Sequence, residues 1–195
     1  MDATLTALVH SFALVAVSEF GDKTQLLALV LALRFKKPWT VMAGILTATL
    51  LNHGLASWLG GYLSSLVSPT MLTYGLGAIF VGFAAWILVP DKDDGGPSSD
   101  RYGAFATTVV SFFLAEMGDK TQLATVALGA RFRDPVIVTL GTTLGMLFSD
   151  GLAVAFGESL TQRIPLRYVR WAAAATFLAF GVWTLWHGAE PLGGG

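Results

Sequence analysis

Cysteine is absent from this chain of 195 residues, and charged side chains are scarce, at 13%. Without cysteine there can be no disulfide bond and no thiolate metal site. A formal net charge of −1 and the lack of a basic stripe argue against nucleic acid as a partner. The fraction of charged residues is only about half of the usual fraction. This is too small to cover the surface of a water-soluble domain of this size.

Hydrophobic residues, by contrast, make up 54% of the chain, and the mean hydropathy is +0.64. This composition is typical of a protein whose surface is covered mostly by membrane lipids. Long apolar runs alternate with short polar or proline-containing joints, and each run is near or above the ~20 residues that a spanning helix needs. We therefore predict an all-α membrane protein with six transmembrane helices, at residues 4–33, 39–63, 71–89, 102–130, 136–160 and 167–187.

Two nearly identical charged heptapeptides interrupt these apolar runs. "EFGDKTQ" occupies residues 19–25 and "EMGDKTQ" occupies residues 116–122, a shift of 97 residues. The same shift, without a gap, pairs several other residues: Arg34-Phe35 with Arg131-Phe132, Pro38 with Pro135, Gly54-Leu55-Ala56 with Gly151-Leu152-Ala153, and Trp86 with Trp183. Such self-similarity indicates a duplication. We predict one three-helix repeat in 1–90, a linker in 91–100, and a second three-helix repeat in 101–190.

Because each repeat has an odd number of spans, the second must enter the membrane from the opposite side. Inverted-topology repeats of this kind are common in secondary transporters. Lysine and arginine are enriched in cytoplasmic joints, and this bias predicts that both termini lie outside. The basic residues then inside are Arg34, Lys36, Lys37, Lys92, Arg101, Arg163, Arg167 and Arg170, against Arg131 and Arg133 outside.

The heptapeptides are expected at the middle of the membrane. Glu19 precedes Arg34, and Glu116 precedes Arg131, by 15 residues each, which corresponds to about 22 Å of helix. Each glutamate has a helical segment of about this length on both of its sides. The two segments together are long for a bilayer, so the helix must tilt or break. We expect a break or close helix packing at Gly21 and Gly118.

On a continuous helix, residues three apart share a face. The residues that would share such faces are Glu19, Asp22 and Gln25 in the first repeat and Glu116, Asp119 and Gln122 in the second. If the two faces converge, four carboxylates and two amide oxygens surround one cavity, which is costly unless a cation or protons neutralise them. Oxygen ligands favour hard cations such as Ca²⁺, Mg²⁺ and Mn²⁺. Asn52 and Asp150 are expected as auxiliary ligands.

Supporting roles are expected for the remaining polar residues of the motif. Lys23 and Lys120 each follow a glutamate by four residues, so each can pair with that glutamate along a helix when the site is empty. Thr24 and Thr121 are expected to donate to backbone carbonyls freed by a helix break.

Two acids are candidates for proton coupling. Glu19 and Glu116 lie at mid-depth beside a second acid, where a carboxylate can alternate between a proton and a metal ion. His53 is interpreted as a packing residue with satisfied hydrogen bonds rather than as a proton carrier.

Two copies of the pattern E-x-G-D-[K/R]-[T/S], "EFGDKT" and "EMGDKT", together with "NHGLA" at 52–56 and "SDGLA" at 149–153, resemble the GDT-type cation/proton exchanger family. That family includes bacterial manganese exporters and Golgi calcium/manganese transporters. The resemblance implies exchange of a divalent cation for protons, with Glu19, Asp22, Glu116 and Asp119 as the core of the site. Within that family, the short length and the N-terminus without transit-peptide features favour a bacterial member in the plasma membrane, for which Mn²⁺ is favoured over Ca²⁺ as the transported ion. No cofactor is expected.

Two other functions compete with this interpretation. An intramembrane enzyme, of the aspartyl protease or lipid phosphatase type, also places acids inside a membrane. A phosphatase needs a cation to hold phosphate, however, and a protease dyad leaves both glutamates unexplained. A divalent cation channel would use similar oxygen ligands, and proton coupling distinguishes it from an exchanger.

Overall fold

A computed structural model describes residues 2–88, 103–156 and 166–187. Within these ranges the chain forms eight α-helices and no strand. The helices are α1 (Ala3–Glu19), α2 (Lys23–Phe35), α3 (Pro38–Ser64), α4 (Pro69–Ile87), α5 (Gly103–Glu116), α6 (Lys120–Phe132), α7 (Pro135–Phe156) and α8 (Leu166–His187). The all-α prediction is therefore confirmed for the part of the chain that is described.

The two heptapeptides break the helices that contain them. α1 ends at Glu19 and α2 begins at Lys23, and α5 and α6 are separated at the equivalent place. Gly21 and Gly118 have φ angles of +78° and +76°, a left-handed conformation that glycine adopts without steric cost. The first pair of helices is bent by 73°. The predicted breaks are thus present in both repeats.

These breaks overturn the expectation of a shared helical face. Asp22 and Asp119 are extended, with ψ angles of 170° and 167°, and each precedes the first residue of the second helix segment. A spacing of three residues places side chains on one face only while the helix continues. Since it does not continue, Asp22 is positioned by the turn at Gly21 and not by the helix that carries Glu19.

Proline and left-handed residues set the ends of several helices. Pro38, Pro69 and Pro135 stand at the first positions of α3, α4 and α7, where a missing backbone N–H costs nothing. Lys36 and Arg133, with φ angles of 52° and 54°, end α2 and α6 in the left-handed conformation. The joints "RFKKP" and "RFRDP" thus form matching turns in the two repeats.

The repeats are interlocked rather than side by side. α1 of the first repeat packs along α7 of the second, and α5 of the second packs along α3 of the first. α4 and α8 pack against each other, with the rings of Phe80 and Phe180 4.8 Å apart. This exchange of partners brings the two helix breaks to the same region of the molecule.

α3 and α6, which belong to different repeats, pack closely along each other. A side chain added at Gly129 would overlap the carbonyl oxygen of Ser57, and one added at Gly60 would overlap that of Val126. The residue of the first repeat that corresponds to Gly129 is Ala32. Backbone-to-backbone contact therefore joins α3 to α6.

Length and composition single out fewer membrane spans than six. Two of the described helices, at Pro69–Trp86 and Pro135–Phe156, are long and apolar enough to cross a membrane. The bent pair α1 and α2 makes a third if it counts as one span. The remaining spans stay predictions, and the linker 91–100 and the end of the predicted fifth span, 157–160, lie outside the described residues.

Candidate functional site

Glu19, at the end of α1, is completely buried and accepts two hydroxyl hydrogen bonds. Thr24 donates to Oε2 over 2.7 Å, and Thr121 of the other repeat donates to Oε1. The expectation that these threonines donate to backbone carbonyls is therefore wrong. The chain bends at Gly21, so the first turn of α2 lies beside the carboxylate at the end of α1.

Glu116, the equivalent residue at the end of α5, has a different environment. It is 1% exposed, and neither carboxylate oxygen has a hydrogen-bond partner among the described residues. The charges of Glu19, Asp119, Asp22 and Asp150 all act on it. Glu116 thus lies within range of the charges of acids from both repeats. Such a concentration of buried acids requires neutralising charge.

Lys23 of the first repeat provides a positive charge that neutralises an acid of the second repeat. Lys23 Nζ lies 3.5 Å from Asp119 Oδ1, so this lysine pairs with an acid across the repeat boundary. The ammonium group of Lys120 lies 5.7 Å from the centre of the Trp86 ring, within the range of a cation–π contact. Pairing along a single helix was expected, but the break at Gly21 directs the Lys23 side chain toward the second motif.

The side chains of Gln25 and Gln122 bind the backbone at the two helix breaks. Their Oε1 atoms accept hydrogen bonds from the backbone N–H groups of Gly21 and Gly118, over 2.8 and 2.7 Å. Both amide oxygens, expected as metal ligands, thus bind backbone in this conformation.

Each glutamine also donates across the repeat boundary. Gln25 Nε2 donates to the carbonyl oxygen of Ser149 over 2.9 Å, and Gln122 Nε2 donates to Asn52 Oδ1. The shift of 97 residues relates both the glutamines and their partners. The interface between the repeats is therefore built from reciprocal contacts.

The polar pairs in α3 and α7 lie beside this interface. Asp150 is fully buried, has no hydrogen-bond partner among the described residues, and lies within range of the charge of Glu19. Asn52 is also buried and donates to the carbonyl oxygen of Phe113 over 3.4 Å. The structure thus brings both expected auxiliary ligands close to the motifs.

His53 is a residue whose environment differs from the sequence interpretation. It is fully buried, as expected, but within the described part of the chain neither ring nitrogen has a hydrogen-bond partner. The repeat itself contains the signal that would have drawn attention to His53, because the shift of 97 residues pairs it with Asp150. Each repeat therefore places an unpartnered ionisable side chain at the same position of its middle helix.

The acids do not form a finished coordination shell in this conformation. Among the described residues, no group of three or more histidine, aspartate or glutamate side chains is placed to hold a metal ion. Glu19, Glu116 and Asp150 are at most 1% exposed, and Asp119 is 7% exposed. In this conformation these acids are therefore shielded from solvent.

Comparison with known families agrees with this duplicated acidic site. A family model described as the divalent cation/proton antiporter GDT1 matches residues 7–95 and, a second time, residues 104–192. The chain belongs to the GDT1 family. The two matches are 97 residues apart, like the two heptapeptides. This GDT1 protein is thus a member of a family of transporters, and the acids described above lie inside the matched ranges.

Relatives of this GDT1 protein occur in bacteria and plants. A Vibrio cholerae serotype O1 protein, provisionally named a manganese exporter, is 44% identical over 181 residues, which cover 92% of this chain and 90% of the relative. GDT1-like protein 3 of Arabidopsis thaliana is 29% identical, over 93% of this chain and 72% of the relative. GDT1-like protein 4 of the same plant is 28% identical, over 93% and 96%. No solved structure matches the chain significantly.

Proposed function

We propose that this protein exchanges Mn²⁺ for protons across the membrane, with Ca²⁺ as the alternative cargo. The observation that supports this most strongly is the burial of Glu19 and Glu116 at equivalent helix breaks, which are joined across the repeat boundary by Lys23 and Thr121. Family membership supports coupled transport of a divalent cation, and the name of the Vibrio relative favours manganese. Transport rather than an intramembrane reaction also explains why the acidic motif is present twice.

The proposed cargo site consists of Glu19, Asp22, Glu116 and Asp119. All four provide carboxylate oxygens, which Mn²⁺ and Ca²⁺ accept as ligands. A divalent ion would also remove the cost of burying several acids together.

Neighbouring side chains can complete the site. We propose Asp150 and Asn52 as auxiliary ligands, because Asp150 has unpartnered oxygens near Glu19 and Asn52 contacts the second motif through Gln122. Gln25 and Gln122 could join only if their oxygens leave the glycine N–H groups that they bind here.

Glu19 and Glu116 are the proposed proton-coupling residues. Both are buried at the ends of α1 and α5, where a carboxylate without a cation is stabilised by taking up a proton. A divalent ion and protons would then compete for the same oxygens. This competition is the simplest physical basis for exchange, because the site is neutralised by one species or the other.

The proposed topology is six spans in two inverted repeats, 1–90 and 101–190, with both termini outside a bacterial plasma membrane. In this orientation α2 runs from the middle of the membrane to the inside, and α6 runs from the middle to the outside. The close contact of α3 with α6 then seals the outer half.

Flux through the purified protein in sealed liposomes tests this function. We expect Mn²⁺ to accumulate on the acidic side when a pH gradient is imposed, and the internal pH to change as Mn²⁺ moves. Ca²⁺ and Mg²⁺ in parallel assays give the preference among cations. Mn²⁺ flux that is the same with and without the pH gradient, and that is not accompanied by proton movement, would indicate a channel and contradict the proposal.

A further inference from the structure

The two motif threonines break the symmetry of the repeats. Thr24 and Thr121 occupy equivalent positions, so a symmetric arrangement would place each on the glutamate of its own repeat. Instead, both hydroxyls donate to Glu19, and Glu116 has no hydrogen-bond donor among the described residues. The bond from Thr121 therefore joins the first residues of α6 to the end of α1.

The same helix forms a tight contact with α3 on one side of the molecule. α6 is pressed against α3 at Gly129 and Gly60, where the backbone of the fully buried Ser57 contacts Gly129. Any opening of that side must move α6 away from α3. The hydrogen bond of Thr121 to Glu19 resists this movement, because it holds the N-terminal end of α6 to a helix of the other repeat.

We propose that the Thr121 hydroxyl is a latch that keeps α6 against α3 while Glu19 holds no cargo, and that a cation bound to Glu19 releases it. The second part rests on the proposed function, and the first does not. Glu19 has one hydroxyl on each carboxylate oxygen. Each carboxylate oxygen has two lone pairs, but a divalent ion withdraws electron density from the oxygens that it binds and repels the hydroxyl hydrogens. Binding of cargo therefore weakens the hydrogen bond of Thr121.

This weakening would couple binding to access. An empty carrier keeps its tight side closed, and a loaded carrier can open it. Thr121 is thus a positioning residue, since it acts through Glu19 and α6. By the repeat symmetry, Thr24 would have the same role in the opposite-facing conformation, in which the hydroxyls of Thr24 and Thr121 would both donate to Glu116.

The absence of cysteine permits a direct test. Ser57→Cys is a nearly isosteric reporter where α3, α6 and α7 meet, because the backbone of Ser57 contacts Gly129 of α6 and its buried hydroxyl contacts Thr139 of α7. Its reaction with a water-soluble methanethiosulfonate reagent, in liposomes without metal, measures how often this junction opens. We expect Thr121→Val to increase the labelling rate roughly ten-fold, the factor that the loss of one hydrogen bond to a charged group corresponds to.

Two further variants separate the latch from a general loosening of α6. Thr125→Val is the matched control, because Thr125 is buried one turn further along α6 and donates only within its own helix, to the carbonyl oxygen of Thr121 over 2.8 Å. It should leave labelling unchanged. Thr121→Ser keeps the hydroxyl and should restore slow labelling. Equal labelling in Thr121→Val and the parent, or equal acceleration by Thr125→Val, would overturn the latch.

Addition of Mn²⁺ tests the link to cargo. In the parent reporter, Mn²⁺ should accelerate labelling several-fold, whereas in Thr121→Val it should add little to an already high rate. Accelerated labelling in metal-free Thr121→Val without any response of the parent to Mn²⁺ would keep the latch and overturn its release by cargo. Failure of Mn²⁺ and proton exchange in the liposome assay would overturn the proposed function separately.

Discussion

Lys23 forms an ion pair with Asp119, an acid of the other repeat, with 3.5 Å between Nζ and Oδ1. The pair joins the two helix breaks and places a fixed positive charge among the acids proposed to bind cargo. A divalent ion that enters this site meets the repulsion of the ammonium group and must compete with it for Asp119. The lysine therefore opposes cation binding while it stabilises the empty site.

Replacement of Lys23 by methionine should accordingly lower the KM for Mn²⁺ several-fold, because the competing charge is removed while the length of the side chain is retained. Initial rates of Mn²⁺ uptake at increasing concentration measure this. Lys37→Met, at an exposed position before α3, is the control and should leave KM unchanged. An unchanged or higher KM in Lys23→Met would show that the lysine does not compete with the cargo.

Glu19→Gln and Glu116→Gln should each abolish proton-coupled exchange. A glutamine keeps the shape of the side chain but can neither take up a proton nor offer a charged oxygen to the ion. Mn²⁺ flux under an imposed pH gradient measures the effect, with the exposed Asp2→Asn as control. Coupled exchange at the parental rate in either variant would remove that glutamate from the proposed proton pathway.

Asp22→Asn and Asp119→Asn should weaken Mn²⁺ binding strongly, by roughly ten-fold or more, since each removes one negative charge from a poorly solvated site. Calorimetric titration of the purified protein with Mn²⁺ gives the dissociation constants. Asp134→Asn is a useful control, because this residue caps α7 through a 3.1 Å hydrogen bond to Ile137 N, away from the motifs. A parental dissociation constant in either test variant would exclude that aspartate as a ligand.

Gly118→Ala should destabilise the protein by about 1–2 kcal/mol through its backbone alone. A side chain at Gly118 would meet no atom within 4 Å, but the φ angle of +76° disfavours any residue with a Cβ atom. Gly82→Ala is the matched control, because Gly82 is also uncrowded but helical, and it should stabilise the protein slightly. Thermal unfolding in detergent compares the two. Equal stability would mean that the break relaxes without strain.

Gly129→Ala should disrupt the contact of α3 with α6, where the added methyl group overlaps the backbone of Ser57. Overpacking of this kind typically costs about 1–3 kcal/mol, so the closed side should open more easily or the protein should unfold at lower temperature. Gly75→Ala, which adds a methyl group in open space on α4, is the control. Parental thermal stability and parental labelling of Ser57→Cys together in Gly129→Ala would contradict a tight contact at this point.

Local features of the structure could be foreseen from single residues. Gly21 and Gly118, each beside charged residues in an apolar run, indicated the helix breaks, and Pro38 and Pro135 marked where new helices begin. The structure shows the break at both glycines, and Gly118 serves through its positive φ angle, since a side chain there would meet no atom within 4 Å. Sequence alone offered breaking or close packing as alternatives, since both favour glycine.

The duplication, the separation of 97 residues and the chemical identity of the acids can be read directly from the order of the residues. Which side chains contact each other, however, depends on how the helices pack. The pairing of Lys23 with Asp119 and of both threonines with Glu19 follows from the turns at the breaks and from the interlocking of α1 with α7 and of α3 with α5. The two motifs are nearly identical in sequence, so the motifs alone do not predict that Glu19 and Glu116 have different hydrogen-bond partners.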